Sequence, residues 1–147
     1  MPAPLTAAAA YVLFPVAAHL APSPTQNNRY AKIDLGTSQV RIAYTLYFGD
    51  RPGVAERRRM DQDRSGTIDD DETRRFGEEI LSEIAPNLDV ELDGARPAAR
   101  FTITDVGLGT PVTAGGAFSV DLALEAPLSP GAARHTLRGR KEHARRT

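Results

Sequence analysis

Cysteine is absent from this chain of 147 residues. That excludes disulfides, thiolate metal sites, thiol catalysis and a lipidated N-terminal cysteine. It leaves the compartment open, because extracytoplasmic domains need not contain disulfides. Charge is absent from the start: no Asp, Glu, Lys or Arg precedes Arg29. The usual marks of catalysis are also missing. There is no nucleophile elbow, no His-x-x-x-His pair and no phosphate-cradling glycine loop. "GLGTPVTAGG" has spaced glycines, but it lies between strand patterns and lacks a following helix and lysine. Glu78 and Glu79 are helix-surface residues by period, and Tyr44 and Phe48 fit a core. No enzymatic activity is expected from these residues. No internal repeat is visible either.

What is present suits one soluble globular domain: 41% of residues are hydrophobic and 25% are charged, which separates the chain from disordered sequences. The formal net charge of −1 conceals an asymmetry. From Ala132 to Thr147, Arg134, Arg138, Arg140, Lys141, Arg145 and Arg146 face one acid, Glu142. No aromatic residue is interleaved there for base stacking, so the basic end reads as solvated, and no nucleic-acid partner is expected.

The uncharged start contains "AAAAYVLFPVAA", Ala7 to Ala18. This apolar run is too short to span a bilayer but suits a signal-peptide core, with Val16 and Ala18 as small residues before cleavage at His19. "MPAPLT" supplies no basic residue ahead of it, and Pro15 interrupts it. The expectation is export, periplasmic or extracellular, of a chain that does not span the membrane once the signal is removed. The organisation expected is a signal peptide at 1–18, a linker at 19–29, a β domain at 30–138 and a basic tail at 139–147.

Alternation begins in "YAKIDL", where Ala31, Ile33 and Leu35 share a face. Past the turn at Gly36-Thr37, "VRIAYTLYF" places Val40, Ile42, Tyr44, Leu46 and Phe48 on one side, which predicts a hairpin with one buried face. "GDRPG" stops the strand. A helix of about two turns is expected over Val54 to Met60. A longer helix is expected from Asp70 to Ala85, with Phe76, Ile80 and Ile84 along one stripe. Strand patterns return in "LDVELDG", "RFTIT" and "AFSVDLALEA", and "HTLR" offers a further one. Asp93-Gly94 is a tight-turn pair. The fold class expected is mainly β, α+β overall: about five or six antiparallel strands as a sheet or sandwich, with a helix–loop–helix insert at 52–85.

Between the two helices lies "DQDRSGTIDDDE", Asp61 to Glu72, with six acids in twelve residues. A calcium loop of this length takes oxygens from positions 1, 3, 5, 7, 9 and 12 and needs glycine at 6. Asp61 and Asp63 fill positions 1 and 3, and the Ser65 hydroxyl fills position 5. Gly66 stands at 6, Thr67 offers its carbonyl at 7, and Ile68 at 8 can anchor the loop in the core. Asp69 at 9 acts through water, and Glu72 at 12 can clamp the ion with both oxygens. The stretch resembles the EF-hand over the whole loop and its flanking helices. The resemblance implies Ca2+, held by Asp61, Asp63, Ser65, Thr67, Asp69 and Glu72; Mg2+ suits a bidentate glutamate less well. Asp69 and Glu72 also have the spacing of a capping box, while Asp70 and Asp71 point to solvent, within reach of Arg74 or Arg75. Sensors of this type carry paired hands that swing apart. With one loop and a short first helix, a structural or interaction role is expected here.

Around the loop, "NRY", "VRIAYTLYFGDRPG" and "VELDG" are similar to an uncharacterised group of exported bacterial proteins. In that group a short β domain follows a signal peptide, and one EF-hand-like loop is inserted after the second strand. Some members carry a membrane-embedded C-terminal part or are associated with nickel or cobalt transport. The resemblance implies a bacterial envelope setting and a protein partner of unknown identity. This chain departs from the pattern at "RHTLRGRKEHARRT", which has no apolar run, so transport does not carry over. A transition-metal reading is the alternative: a terminal amine and imidazole at His19 could hold Cu or Ni with His135. His143 reads as solvated.

Overall fold

The computed structural model describes residues 25–128 and 136–141. In chain order the elements are β1 (Asn27–Leu35), β2 (Gln39–Phe48), α1 (Asp50–Met60) and α2 (Asp70–Ile84). A 3-10 turn (Ala85–Asn87) then leads to β3 (Leu88–Leu92), β4 (Thr102–Gly107), β5 (Phe118–Pro127) and β6 (Leu137–Lys141). Four strands form an antiparallel sheet in the order β1-β2-β5-β4, and β3 pairs with β6 in a small second sheet. The mainly β class holds, as one helix-covered sheet plus a two-stranded ribbon. Among the described residues no helix is long and apolar enough to cross a membrane. The apolar run at 7–18, His19, His135 and His143 lie outside the described residues.

The long alternating segments become the central strands. Val40, Ile42, Tyr44, Leu46 and Phe48 of β2 are buried beside Phe118, Val120, Leu122, Leu124 and Ala126 of β5. Phe76, Ile80 and Ile84 of α2 join the same core, with Met60 and Ile68. Phe48 and Phe118 are cross-strand partners whose rings stack at 4.6 Å, and Phe76 meets them at 6.1 and 5.8 Å. Aromatic pairs of this kind add ~0.5–1.5 kcal/mol each beyond their burial, so the trio fixes α2 on the sheet. The reverse face is polar, with Arg41 paired to Glu125 at 3.3 Å and Thr45 donating to Asp121.

Three details differ from the pattern reading. Helix α1 starts at Asp50, not Val54, and has 11 residues. Pro52 falls in its first turn, where a missing N–H costs nothing, and Gly53 is needed because a Cβ there would lie 2.4 Å from the Gly116 oxygen. Strand β1 reaches back to Asn27, and its apolar face is not buried: Ile33 and Leu35 are 41% and 55% exposed. They share a face with Ile42 and Val40, their partners on β2, but lie at the rim of the sheet with a neighbour on one side only. Strand β6 continues through Lys141, so residues 139–141 belong to the ribbon rather than to a tail.

Candidate metal centre

The acidic loop is folded by its own carboxylates. Asp61 accepts from the Ser65 N–H at one oxygen and from the Gly66 N–H at the other, both at 2.9 Å. Asp63 also accepts from the Ser65 N–H at 2.9 Å, and this bond above all holds the Asp63 carboxyl below the usual aspartate range. Gly66 turns the chain at φ +82, a conformation that side-chain-bearing residues rarely adopt. The Ser65 hydroxyl donates to the Thr67 carbonyl at 2.8 Å, so two of the expected oxygens are in contact. Ile68 is 3% exposed and pins the far side of the loop in the core.

Helix α2 then starts with a complete capping box. Asp69 accepts from the Glu72 N–H at 2.8 Å, and the Glu72 carboxylate accepts from the Asp69 N–H at 3.2 Å. The other Glu72 oxygen accepts from the Gln62 N–H at 2.7 Å, which draws the start of the loop against its end. Glu72 is buried, at 3% exposure. As a result carboxylate oxygens of Asp61, Asp63 and Glu72 all lie within 4.8 Å of one another. Asp69 is not in that group; its carboxylate caps the helix. Asp71 pairs with Arg74 at 3.3 Å on the outer surface.

The donor set is entirely oxygen and mostly anionic. That chemistry fits a hard divalent cation and fits copper or nickel poorly, since no imidazole is among the three.

The loop is also held from outside, by residues of the "GLGTPVTAGG" stretch, to which the sequence assigns no such role. The segment between β4 and β5 runs alongside it. Ile68 N–H donates to the Pro111 carbonyl at 2.7 Å, Thr113 N–H donates to Gly66 at 3.1 Å, and Thr67 and Val112 form an antiparallel bridge. That segment is in turn organised by Arg57 of α1, which is fully buried. Its guanidinium donates to the carbonyls of Gly116 at 3.0 Å, Thr110 at 2.6 Å, Val112 at 3.1 Å and Leu108. It also sits 5.4 Å from the Phe118 ring centre. Burial lowers its pKa, but a guanidinium stays charged in proteins. One glycine of "GLGTPVTAGG" serves this packing: a Cβ on Gly115 would lie 2.8 Å from the Arg57 nitrogen. In "ERRRM" Arg57 is flanked by Glu56 and two further arginines, and nothing in that composition marks it as buried. The only sequence signal is its place three residues before Met60, on the inward side of α1.

The two helices are joined at the surface as well. Arg59 donates to both oxygens of Glu79, at 2.6 and 2.7 Å, and lies 5.1 Å from the Phe76 ring centre.

Comparison with family models, curated proteins and solved structures finds no match to this chain.

Proposed function

We propose that residues 61–72 bind one calcium ion, and that the ion stabilises the junction between the helical insert and the β sheet. The observation that carries this reading is the convergence of Asp61, Asp63 and Glu72 within 4.8 Å around a glycine turn. Repulsion among carboxylates at such range is relieved by a divalent cation. Ser65 and Thr67 would add neutral oxygens, and Asp69 would act through water while it caps α2. Calcium is favoured over magnesium because a loop with a bidentate glutamate offers more oxygens, at looser geometry, than an octahedral ion accepts.

The fixed surroundings favour a structural role. The loop is bonded to Pro111 and Thr113, and the helices are joined through Arg59 and Glu79. Export would suit such a site, since extracellular modules bind with Kd of ~10⁻⁴–10⁻³ M and are filled by millimolar calcium. A tenfold excess over Kd adds about 1.4 kcal/mol to stability.

Calorimetric titration of the mature chain beginning at His19 with calcium, magnesium and copper tests the reading. The expected result is one calcium per chain, weaker magnesium binding and a melting temperature that chelator lowers. Calcium heats that Glu72→Gln leaves unchanged would remove the site from this loop. Copper binding that Glu72→Gln does not affect, but His19→Ala abolishes, would favour transition-metal handling.

A further inference from the structure

Among the described residues four large hydrophobic side chains are exposed, and Tyr30, Ile33 and Leu35 of β1 are three of them. Strand β1 is an outer strand of the four-stranded sheet. Its nine residues contain no proline or glycine, and its pairing with β2 runs without a register shift. The opposite edge is protected differently. Strand β4 carries a register shift between Ile103 and Asp105, and Gly77 of α2 lies close against Ile103 and Val106. Bulges and helical cover are ways of blunting an edge; β1 has no bulge, and the helix residues Glu56, Ile80, Glu83 and Ile84 share a pocket only with its first part, at Asn27 and Arg29.

The backbone of β1 fixes which residues can pair outward. Gly36 N–H donates to the Gln39 carbonyl at 2.9 Å, and Gly49 N–H donates to the Gln26 carbonyl at 3.2 Å. Even-numbered positions therefore direct their backbone groups to β2. Antiparallel pairing alternates, so Arg29, Ala31, Ile33 and Leu35 direct theirs to the open edge.

We propose that β1 pairs antiparallel with β1 of a second copy of this chain, about a twofold axis at Ile33. In that register Ile33 faces its own counterpart, and Ala31 faces Leu35 of the other copy. Lys32 faces Asp34, twice by symmetry. The apolar pairs extend the buried face of β2, and the charged pairs lie on the polar face. Odd residues make the backbone bonds, as the edge requires. Lys32 and Asp34 fall at non-bonded positions, where side chains approach more closely. Registers centred one residue to either side oppose Lys32 to Lys32 or Asp34 to Asp34, and like charges directly opposite are unfavourable. In the single chain Lys32 and Asp34 already pair at 2.9 Å with side chains 75% and 45% exposed, so neither is committed to the core. The contact is isologous, as twofold assemblies require, and leaves the acidic loop untouched.

Sedimentation velocity of the full chain over a concentration series tests this. The expected species has twice the 15.9 kDa chain mass. Lys32→Asp and Asp34→Lys should each weaken association by about tenfold or more, because both symmetric pairs turn repulsive. The double variant should dimerise again. An equimolar mixture of the two single variants should form mixed dimers, because each then supplies the charge the other lacks. Far-UV circular dichroism of each variant confirms folding. A wild-type chain that stays monomeric throughout overturns the proposal. So does a dimer that the single variants leave intact, or a mixture that does not associate.

Discussion

Arg57 gives the sharpest test of how the acidic loop is supported. Arg57→Met removes the guanidinium but keeps most of the apolar stem. The carbonyls of Leu108, Thr110, Val112 and Gly116 then lose their donor. A buried acceptor left unsatisfied costs ~1–3 kcal/mol, and bonds to a charged donor lie at the upper end. Two effects reduce the sum. Thr110 and Val112 belong to exposed residues, so water can reach part of the gap. Removing a buried cation also relieves its desolvation. A net loss of ~3 kcal/mol results, a large share of the 5–15 kcal/mol margin of a small domain. Arg57→Lys keeps the charge with three donors in place of five and should lose ~1–2 kcal/mol. Urea denaturation measures both. Amide exchange supplies the local readout: Ile68 and Thr113, which donate across to Pro111 and Gly66, should lose protection before the β2–β5 ladder does. If Arg57→Met stays within about 1 kcal/mol of wild type, water replaces the guanidinium and the argument for Arg57 as organiser fails.

Other substitutions probe neighbouring parts of the same unit. Gly53→Ala places a Cβ 2.4 Å from the Gly116 oxygen and 3.1 Å from Ala117, both backbone. It should destabilise by ~1–3 kcal/mol in a thermal melt, against the usual gain of alanine in a helix. Gly66→Ala meets no neighbouring atom within 4 Å but must hold φ at +82, so denaturation should show a loss of only ~1 kcal/mol. Glu72→Gln keeps one carbonyl oxygen for the Gln62 and Asp69 N–H groups and should lose ~1–2 kcal/mol without calcium. With calcium, titration should show affinity lowered by more than about tenfold.

The sequence made some of this legible and hid the rest for physical reasons. Strands β2 and β5 alternate over ten residues each, so burial of one face could be read directly. The capping box at Asp69 and Glu72 and the tight turn at Asp93-Gly94, where φ is positive at both residues, depend on neighbours only and were equally visible. The meeting of the carboxylates at positions 61, 63 and 72 is legible for the same reason: a loop closes locally. Long-range partners were not. Nothing local says that β3 pairs with β6 across more than forty intervening residues, or that β1 lies at an edge. Pro52-Gly53 read as a stop because the close approach of Gly116, which makes glycine necessary there, comes from a distant segment. Arg57 was missed because a run of arginines on a helix usually faces water, and only the folded chain supplies the carbonyls that solvate one of them.

If the loop binds calcium as proposed, the same contacts favour a staple over a switch. A ligand moves an equilibrium only by its differential affinity for the two states. Opening α1 against α2 would separate Arg59 from Glu79, an exposed pair worth ~1 kcal/mol or less. It would also draw Ile68 or Phe76, each 3% exposed, out of the core at ~1.5–3 kcal/mol per side chain. The bonds from Ile68 to Pro111 and from Thr113 to Gly66 would be lost as well. Those costs together exceed the about 1.4 kcal/mol that a tenfold excess of ion supplies. On the proposed reading, calcium at Asp61, Asp63 and Glu72 is therefore expected to tighten the closed arrangement, with its effect appearing as stability of the 110–113 contact rather than as movement of the helices.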